Sequence, residues 1–199
     1  CNSVSKETRT SLIYTVSGEN IGELHRMPRL LEQMGVQRFF IQVIGIRGES
    51  AKAVEKGKGD LQVPRERWMA TVPVVAEKAA ERGVVASFPK VFLSGGEHFD
   101  CAGLVADNYF VFPNGRVYRC PLCEDYPIHG MEFIDNVLVA RPKINETDLF
   151  ALSIPEGCVM NKIVQPDNIG YDKNGVPEFR VACCMLKEEI LPAGGPDGG

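Results

Sequence analysis

Cysteines are the residues of this sequence whose type and spacing point most directly to chemistry. The chain holds seven, and six of them lie in its second half. A secreted disulfide scaffold would be shorter and more evenly stapled, whereas clustered thiols in an acidic chain indicate metal ligation in a reducing compartment. The sequence therefore predicts a cytoplasmic protein with these candidate metal ligands: Cys101, Cys120, Cys123, Cys158, Cys183 and Cys184.

Cys120 and Cys123 form a Cys-x-x-Cys motif at the foot of a predicted β-hairpin. This spacing lets both sulfurs face one metal ion. Cys101 precedes the hairpin, and folding the hairpin back brings residue 101 towards residue 120, so three thiolates can converge. A fourth ligand would come from one of the three remaining cysteines of the second half. His98, three residues before Cys101, is a further candidate ligand.

Other interpretations of these thiols stay open. Free cysteine is a common core residue, so the same side chains are also consistent with buried, inert thiols. The Cys-x-x-Cys pair also suits tetrahedral zinc. A thioredoxin-type redox motif is disfavoured, because that motif follows a strand and opens a helix, whereas Cys120 closes a hairpin.

The elements that must position these residues fall into two patterns. The first ninety residues alternate strand and helix, which implies parallel strands with right-handed crossovers. Pro28 and Pro64 mark helix starts, Gly35 and Gly83 mark helix ends, and Pro73 should kink or split the second helix. The predicted elements are strands at 11–16, 36–46 and 84–93, with helices at 28–34 and 63–83. The continuous apolar strand at 36–46 suggests burial on both faces.

After residue 93 the pattern changes to hairpins and short helices. Residues 108–120 alternate around a Pro-Asn-Gly turn, which predicts a hairpin. A short helix is expected within 149–164, a turn within 168–180 and an amphipathic helix at 181–191. The predicted fold class is α/β: a partial (β/α) barrel-like β-α-β-α-β segment, followed by a small α+β, hairpin-containing metal-binding domain. The predicted boundaries are 1–93, 94–192 and a flexible tail at 193–199.

Composition excludes several classes of partner. The net charge is -4 and the pI is near 5.5, which argues against nucleic-acid binding because little electrostatic attraction to phosphate is available. No apolar run reaches the roughly 18 residues of a membrane span, so no membrane partner is expected. The sequence begins at Cys1 rather than at methionine, and we expect it to be a processed chain or a piece of a longer one.

The spacing of Cys101, thirteen residues, Gly115, four residues and Cys120 resembles the opening signature of SPASM and twitch domains. These are C-terminal extensions of radical S-adenosylmethionine enzymes that carry auxiliary [4Fe-4S] clusters. The segments "FIDNVL" (133–138) and "LSIPEGC" (152–158) are similar to later parts of the same domains. The resemblance implies one [4Fe-4S] cluster held by four of the six cysteines of the second half.

The β-α-β-α-β segment likewise resembles the closing strands of the partial barrel in radical S-adenosylmethionine enzymes. The resemblance implies that Ser17, Asn20 and Arg47, which follow predicted parallel strands, bind S-adenosylmethionine at the mouth of a longer parent chain. Ordinary loop roles for these three residues remain an alternative.

Departures from the family pattern limit what this chain can do. The Cys-x-x-x-Cys-x-x-Cys motif that binds the catalytic cluster is absent, and Asn161 stands where a cysteine of a second auxiliary cluster is expected. The chain is therefore expected to support electron transfer or the binding of a peptide or small-protein substrate, without catalysing a reaction alone. The alternative is an accessory or zinc-stabilised structural module that partners a complete radical enzyme.

Overall fold

The computed structural model describes residues 9–45, 52, 57, 61–94, 96–164, 166, 169–182 and 185–193. Their contacts separate into two compact units. Unit 1 comprises the described residues of 1–44, 53–90 and 187–199, and unit 2 comprises those of 45–52 and 91–186. The chain is mixed α/β, as predicted, and its described strands close no barrel.

The described part of unit 1 contains a four-stranded sheet and two α-helices. The strand order is β1-β2-β3-β10, with β1, β2 and β3 parallel and β10 antiparallel to β3. The strands are β1 (Ser11–Val16), β2 (Arg38–Val43), β3 (Val85–Pro89) and β10 (Lys187–Ile190), and the helices are α1 (Met27–Met34) and α2 (Arg65–Ala80). The parallel β-α-β-α-β order predicted from the sequence is therefore confirmed.

Local sequence signals set the ends of α1. A 3₁₀ turn at Ile21–Arg26 precedes the helix, and Pro28 lies in its first turn, where its missing N–H costs nothing. Gly35 ends the helix with φ of 65°, a left-handed conformation that glycine adopts readily. In α2, Pro73 lies within one continuous helix, so the predicted split does not occur.

The core of unit 1 lies against one side of the sheet. Phe39 and Ile41 of β2 are buried, whereas Phe40 is half-buried and Gln42 is exposed. This alternation is that of a strand covered on one face, so the predicted burial of both faces is wrong. Trp68 of α2 is 1% exposed and is among the largest fully buried side chains of the described residues.

The predicted helix at 181–191 is wrong. The described part of this stretch contains the end of β9 (Arg180–Val181) and the whole of β10. Tertiary contacts outweigh helix propensity here, because Lys187 lies 5.2 Å over the ring of Phe40 and Glu189 accepts a hydrogen bond from Ser87 at 3.1 Å. The predicted strand at 84–93 is also interrupted, since β4 (Phe92–Leu93) leaves the first sheet and pairs with β9 in unit 2.

Unit 2 contains a four-stranded antiparallel sheet of order β5-β6-β7-β8. Its strands are β5 (Phe110–Val111), β6 (Arg116–Tyr118), β7 (Met131–Ile134) and β8 (Val137–Ala140). The predicted hairpin around Gly115, which has φ of 80°, is confirmed as β5-β6. A second hairpin, β7-β8, turns at Asp135 and Asn136 with φ of 48° and 64°, as a type I′ turn requires. It was not predicted from the sequence.

Short helices complete unit 2. They are α3 (Ala102–Val105), α4 (Glu146–Phe150) and α5 (Val159–Val164). α5 falls within the predicted 149–164 segment, and the predicted turn near 168–180 is confirmed at Gly175, with φ of 77°. None of the helices in the described part of the chain has the length and apolar character needed to cross a bilayer.

Candidate metal centre

Cys120 and Cys123 are held together at the end of β6. Cys120 starts a 3₁₀ turn over Pro121–Cys123, and the amide of Cys123 donates to the carbonyl of Cys120 at 3.2 Å. Both side chains are buried, at 6% and 0% exposure. A hydrogen bond between the two thiols raises the pKa of Cys123 far above its ordinary value, and burial adds to the effect. The thiol of Cys123 therefore keeps its proton at neutral pH when no metal is bound.

Cys101 is brought to this hairpin by Arg119. Cys101 is the N-cap of α3, where its carbonyl accepts from the amides of Leu104 and Val105. The guanidinium of Arg119, one residue before Cys120, donates to the carbonyls of Leu104 and Ala106. These bonds fasten the segment that follows Cys101 to the end of β6. Cys101 is half-buried and packs against the cluster of buried residues that contains Cys120 and Cys123.

Cys158 comes from a later segment of the chain and packs against the same cluster of buried residues. Its amide donates to the carbonyl of Val181 at 2.8 Å, and the amide of Val181 donates to the backbone carbonyl of Glu156 at 2.8 Å. Gly157, between them, has φ of 98°, and a Cβ on it would lie 2.6 Å from the Val181 oxygen. Only glycine allows the backbone before Cys158 to approach β9 this closely.

A cavity of about 270 Å³ joins three of the candidate ligands. Its wall includes Cys101, Cys120 and Cys158, together with His98 and Arg180. The rest of the wall is largely apolar and includes Phe150, Met160 and Met185. Three thiols from three separate segments of the chain therefore border one space, with the thiol of Cys123 hydrogen-bonded to one of them.

The buried carboxylate of Glu146 lies against the thiol pair and accepts a hydrogen bond from the thiol of Cys123. It is 1% exposed, and its Oε1 accepts from the amide of Arg119 at 2.6 Å. Burial raises the pKa of Glu146, while hydrogen bonds from the Arg119 amide and the Cys123 thiol oppose that rise. Asn145 places Glu146 at the start of α4 through a capping box with Asp148. The pattern Asn145-Glu-Thr-Asp148 predicts the helix start, but nothing in the sequence signals that Glu146 is buried.

The donor set fits a [4Fe-4S] cluster in kind, because thiols border the cavity and an apolar shell surrounds them. Within the described ranges, no group of three or more His, Cys, Asp or Glu side chains is already arranged to hold a single metal ion. The predicted ligands Cys183 and Cys184 and the predicted cofactor-binding residue Arg47 lie outside the described residues. All but the first residue of the predicted tail at 193–199 lies outside them as well.

Ser17 and Asn20 follow the carboxyl end of β1, as predicted, but they bond to each other. The amide of Ser17 donates to Asn20 Oδ1 at 2.8 Å, and Asn20 Nδ2 donates to the carbonyl of Thr15 at 2.9 Å. The side-chain oxygen and nitrogen of Asn20 therefore both stabilise the loop after β1. Their binding of S-adenosylmethionine stays a prediction.

Asn161, which stands where the family pattern places a cysteine, is fully buried on α5. Its Nδ2 donates to the carbonyl of Ala182, and among the described residues its Oδ1 has no partner. Asn161 therefore connects α5 to the segment after β9, a role that its position in the sequence did not suggest.

The buried side chain of His129, which packs against Tyr118 of β6, should make the stability of unit 2 depend on pH. Its side chain is buried edge-on against Tyr118, with ring centroids 5.8 Å apart. Burial and the nearby charge of Lys143 lower the pKa of His129, and Glu132, 3.6 Å away, only partly opposes them. The folded protein therefore binds a proton less readily than the unfolded chain does. We expect the free energy of unfolding to fall as the pH drops below about 6.5, the ordinary histidine value.

The measurement is urea unfolding between pH 7.5 and about pH 5. His129→Gln should flatten this slope, because glutamine does not titrate. His25→Gln is the matched control, since His25 is exposed and its removal should leave the slope intact. Equal slopes in the wild type and in His129→Gln would show that His129 does not cause the dependence.

Comparison of the chain with protein-family models, with curated proteins and with solved structures returns no match.

Proposed function

We propose that this chain is the auxiliary-cluster portion of a radical S-adenosylmethionine protein, in which unit 2 holds one [4Fe-4S] cluster. The observation that carries the proposal is that Cys101, Cys120 and Cys158 all border one shared cavity. Cys101 and Cys120 belong to the spaced signature with Gly115, and Gly115 takes the positive φ of the β5-β6 turn that lies between them in the sequence.

Cys101, Cys120 and Cys158 would hold the cluster, and the fourth ligand is Cys123, Cys183 or Cys184. When bound, such a cluster supplies one-electron transfer. The protein itself keeps the site apolar, through Phe150, Met160 and Met185, and so limits the access of water. Low polarity around a cluster and hydrogen bonds to its sulfurs are the features that set its reduction potential.

The remaining parts of the proposal concern the surroundings of the site. A peptide or small-protein substrate, or a complete radical enzyme, is the proposed partner, and S-adenosylmethionine would bind only within a longer parent chain. The protein acts in the cytoplasm, because thiols that must stay reduced for metal binding need a reducing compartment. In unit 1, the parallel strands β1, β2 and β3 are the proposed counterpart of the closing strands of a partial barrel.

Anaerobic reconstitution with iron and sulfide tests the cluster. We expect a broad absorbance in the blue and about four irons per chain. Cys101→Ser, Cys120→Ser and Cys158→Ser should each reduce the bound iron strongly, while Cys1→Ser, outside the proposed ligand set, should not. Cys123→Ser, Cys183→Ser and Cys184→Ser identify the fourth ligand. Failure of the wild type to bind iron and sulfide would reject the proposal.

A zinc-stabilised accessory module is the second candidate function. The paired thiols of Cys120 and Cys123 within one buried turn favour it, because this arrangement is typical of half of a tetrahedral zinc site. Metal analysis of protein grown anaerobically in iron-replete medium separates the two candidates. One tightly bound zinc per chain without iron would favour the zinc module.

A further inference from the structure

β8 is an edge strand that lacks the usual protection of an edge. It pairs with β7 on one side and forms the end of the β5-β6-β7-β8 sheet. Its four residues, Val137, Leu138, Val139 and Ala140, are all exposed and apolar. Native edge strands usually carry a lysine, a proline or a bulge that prevents further pairing. β8 has none of these within its length.

Both faces of the hairpin are apolar as well. Phe133 and Ile134 of β7 are 42% and 41% exposed, and Val137 and Leu138 of β8 are 62% and 47% exposed. Phe133 pairs with Leu138, and Ile134 pairs with Val137, so the exposed side chains form cross-strand pairs on opposite faces. Within the part of the chain that the structure describes, the end of the hairpin therefore offers both unpaired backbone groups and apolar contact area.

The backbone pattern identifies which groups of β8 are free to pair. The amide of Arg141 donates to Gly130, on the β7 side of the hairpin. Residues of an antiparallel strand alternate between directing their backbone groups to one neighbour and to the other. Val137 and Val139 therefore face β7, and Leu138 and Ala140 direct their amides and carbonyls to the open edge.

We propose that β8 is a self-association edge, at which two copies of this chain pair antiparallel about Val139. A two-fold axis perpendicular to the sheet requires one residue to face its own copy. With Val139 at the axis, Leu138 of each copy pairs with Ala140 of the other. All the outward backbone groups of the strand are then satisfied, and the two sheets join into one of eight strands.

Charge supports this register. With Val139 at the axis, Asp135 at the tip of one hairpin comes near Lys143, which follows β8 of the second copy, and the reverse holds at the other end. Lys143 Nζ donates to the neutral carbonyl of Pro127 at 3.2 Å. The neighbouring register, centred on Leu138, would place Asp135 opposite Arg141, whose guanidinium already pairs with the carboxylate of Glu132. The register centred on Val139 joins an acidic tip to a basic flank, so the edge is complementary to itself in charge.

Sedimentation velocity of the full chain tests the proposal over about 1 μM to 1 mM, the range of weak, reversible association. We expect the wild type to shift from monomer to dimer as its concentration rises. Val139→Lys should weaken the dimer about tenfold or more, because two lysines would then face each other at the axis. Within its own chain that lysine lies opposite Glu132, so the hairpin itself should be retained.

The matched control is Val176→Lys, which adds the same charge at a 56% exposed position outside the hairpin and its basic flank. It should dimerise like the wild type. Asp135→Asn keeps a residue that suits the left-handed turn conformation, and Lys143→Gln removes the opposite charge. Each should weaken the dimer, and the double variant should be no weaker than either single variant. A wild type that stays monomeric throughout, as expected if the edge serves a strand of another protein, would overturn the proposal. Undiminished association of Val139→Lys would overturn it too, and losses that simply add in the double variant would overturn the register.

Discussion

Replacing Gly157 by alanine is expected to lower the free energy of unfolding by about 2–5 kcal/mol. Two costs combine at this position. The backbone has φ of 98°, which is strained for any residue with a side chain, and the new Cβ would lie 2.6 Å from the carbonyl oxygen of Val181. That oxygen belongs to the backbone and already accepts from the amide of Cys158, so it cannot move aside cheaply.

Gly175→Ala is the control that separates these two costs. Gly175 has φ of 77°, but a Cβ on it would meet nothing within 4 Å. Its replacement should therefore cost only the backbone strain, about 1–2 kcal/mol. Urea unfolding followed by circular dichroism measures both variants. Equal losses in the two would show that the contact with Val181 is not what requires glycine at residue 157.

The Gly157 variant also bears on the proposed cluster. Moving the backbone at residue 157 shifts Cys158, whose amide shares the Val181 oxygen. Gly157→Ala should therefore bind less iron on reconstitution, whereas Gly175→Ala should bind as much as the wild type.

Replacing Trp68 by alanine is expected to lower the free energy of unfolding by about 3–5 kcal/mol. Trp68 is 1% exposed within α2, and α2 packs against both α1 and β3. Removing the indole takes away the largest buried apolar surface of this helix and leaves a cavity that the surrounding elements can close only in part.

Met69→Ala is the matched control, since Met69 follows directly in the same helix but is 44% exposed. Its replacement should change the stability by less than about 0.5 kcal/mol. Circular dichroism is the appropriate measurement, because Trp68 is the single tryptophan of the chain and its removal abolishes the tryptophan fluorescence. A loss under about 1 kcal/mol for Trp68→Ala would mean that this core tolerates a cavity unusually well.

Local signals in the sequence predicted the elements whose structure depends on a few neighbouring residues. Pro28 and Gly35 bracket α1, and the Pro-Asn-Gly turn makes the β5-β6 hairpin, because each depends on the backbone of a few residues. The helix predicted at 181–191 is wrong for the opposite reason. Its residues favour a helix locally, but pairing with β3 and contact with Phe40 decide its structure, and neither is visible in the sequence.

The candidate site divides in the same way. Spacing alone suggested that Cys101 and Cys120 approach each other, and both border the cavity. Arg119 and Glu146 were not predicted, although Arg119 fastens the segment after Cys101 and Glu146 lies against the thiol pair. A charged residue that becomes buried through partners distant in sequence leaves no periodic or motif signal.

The pairing of β10 with β3 has a consequence for the order in which the chain folds. Pro89 and Lys187 are register partners although they are about 100 residues apart in the sequence. During synthesis, β3 emerges early and remains an open edge until β10 leaves the ribosome. Closing so long a loop is slow, so unit 1 should complete its sheet only after unit 2 has been made. In the meantime the nascent chain exposes a strand edge that is prone to mispairing.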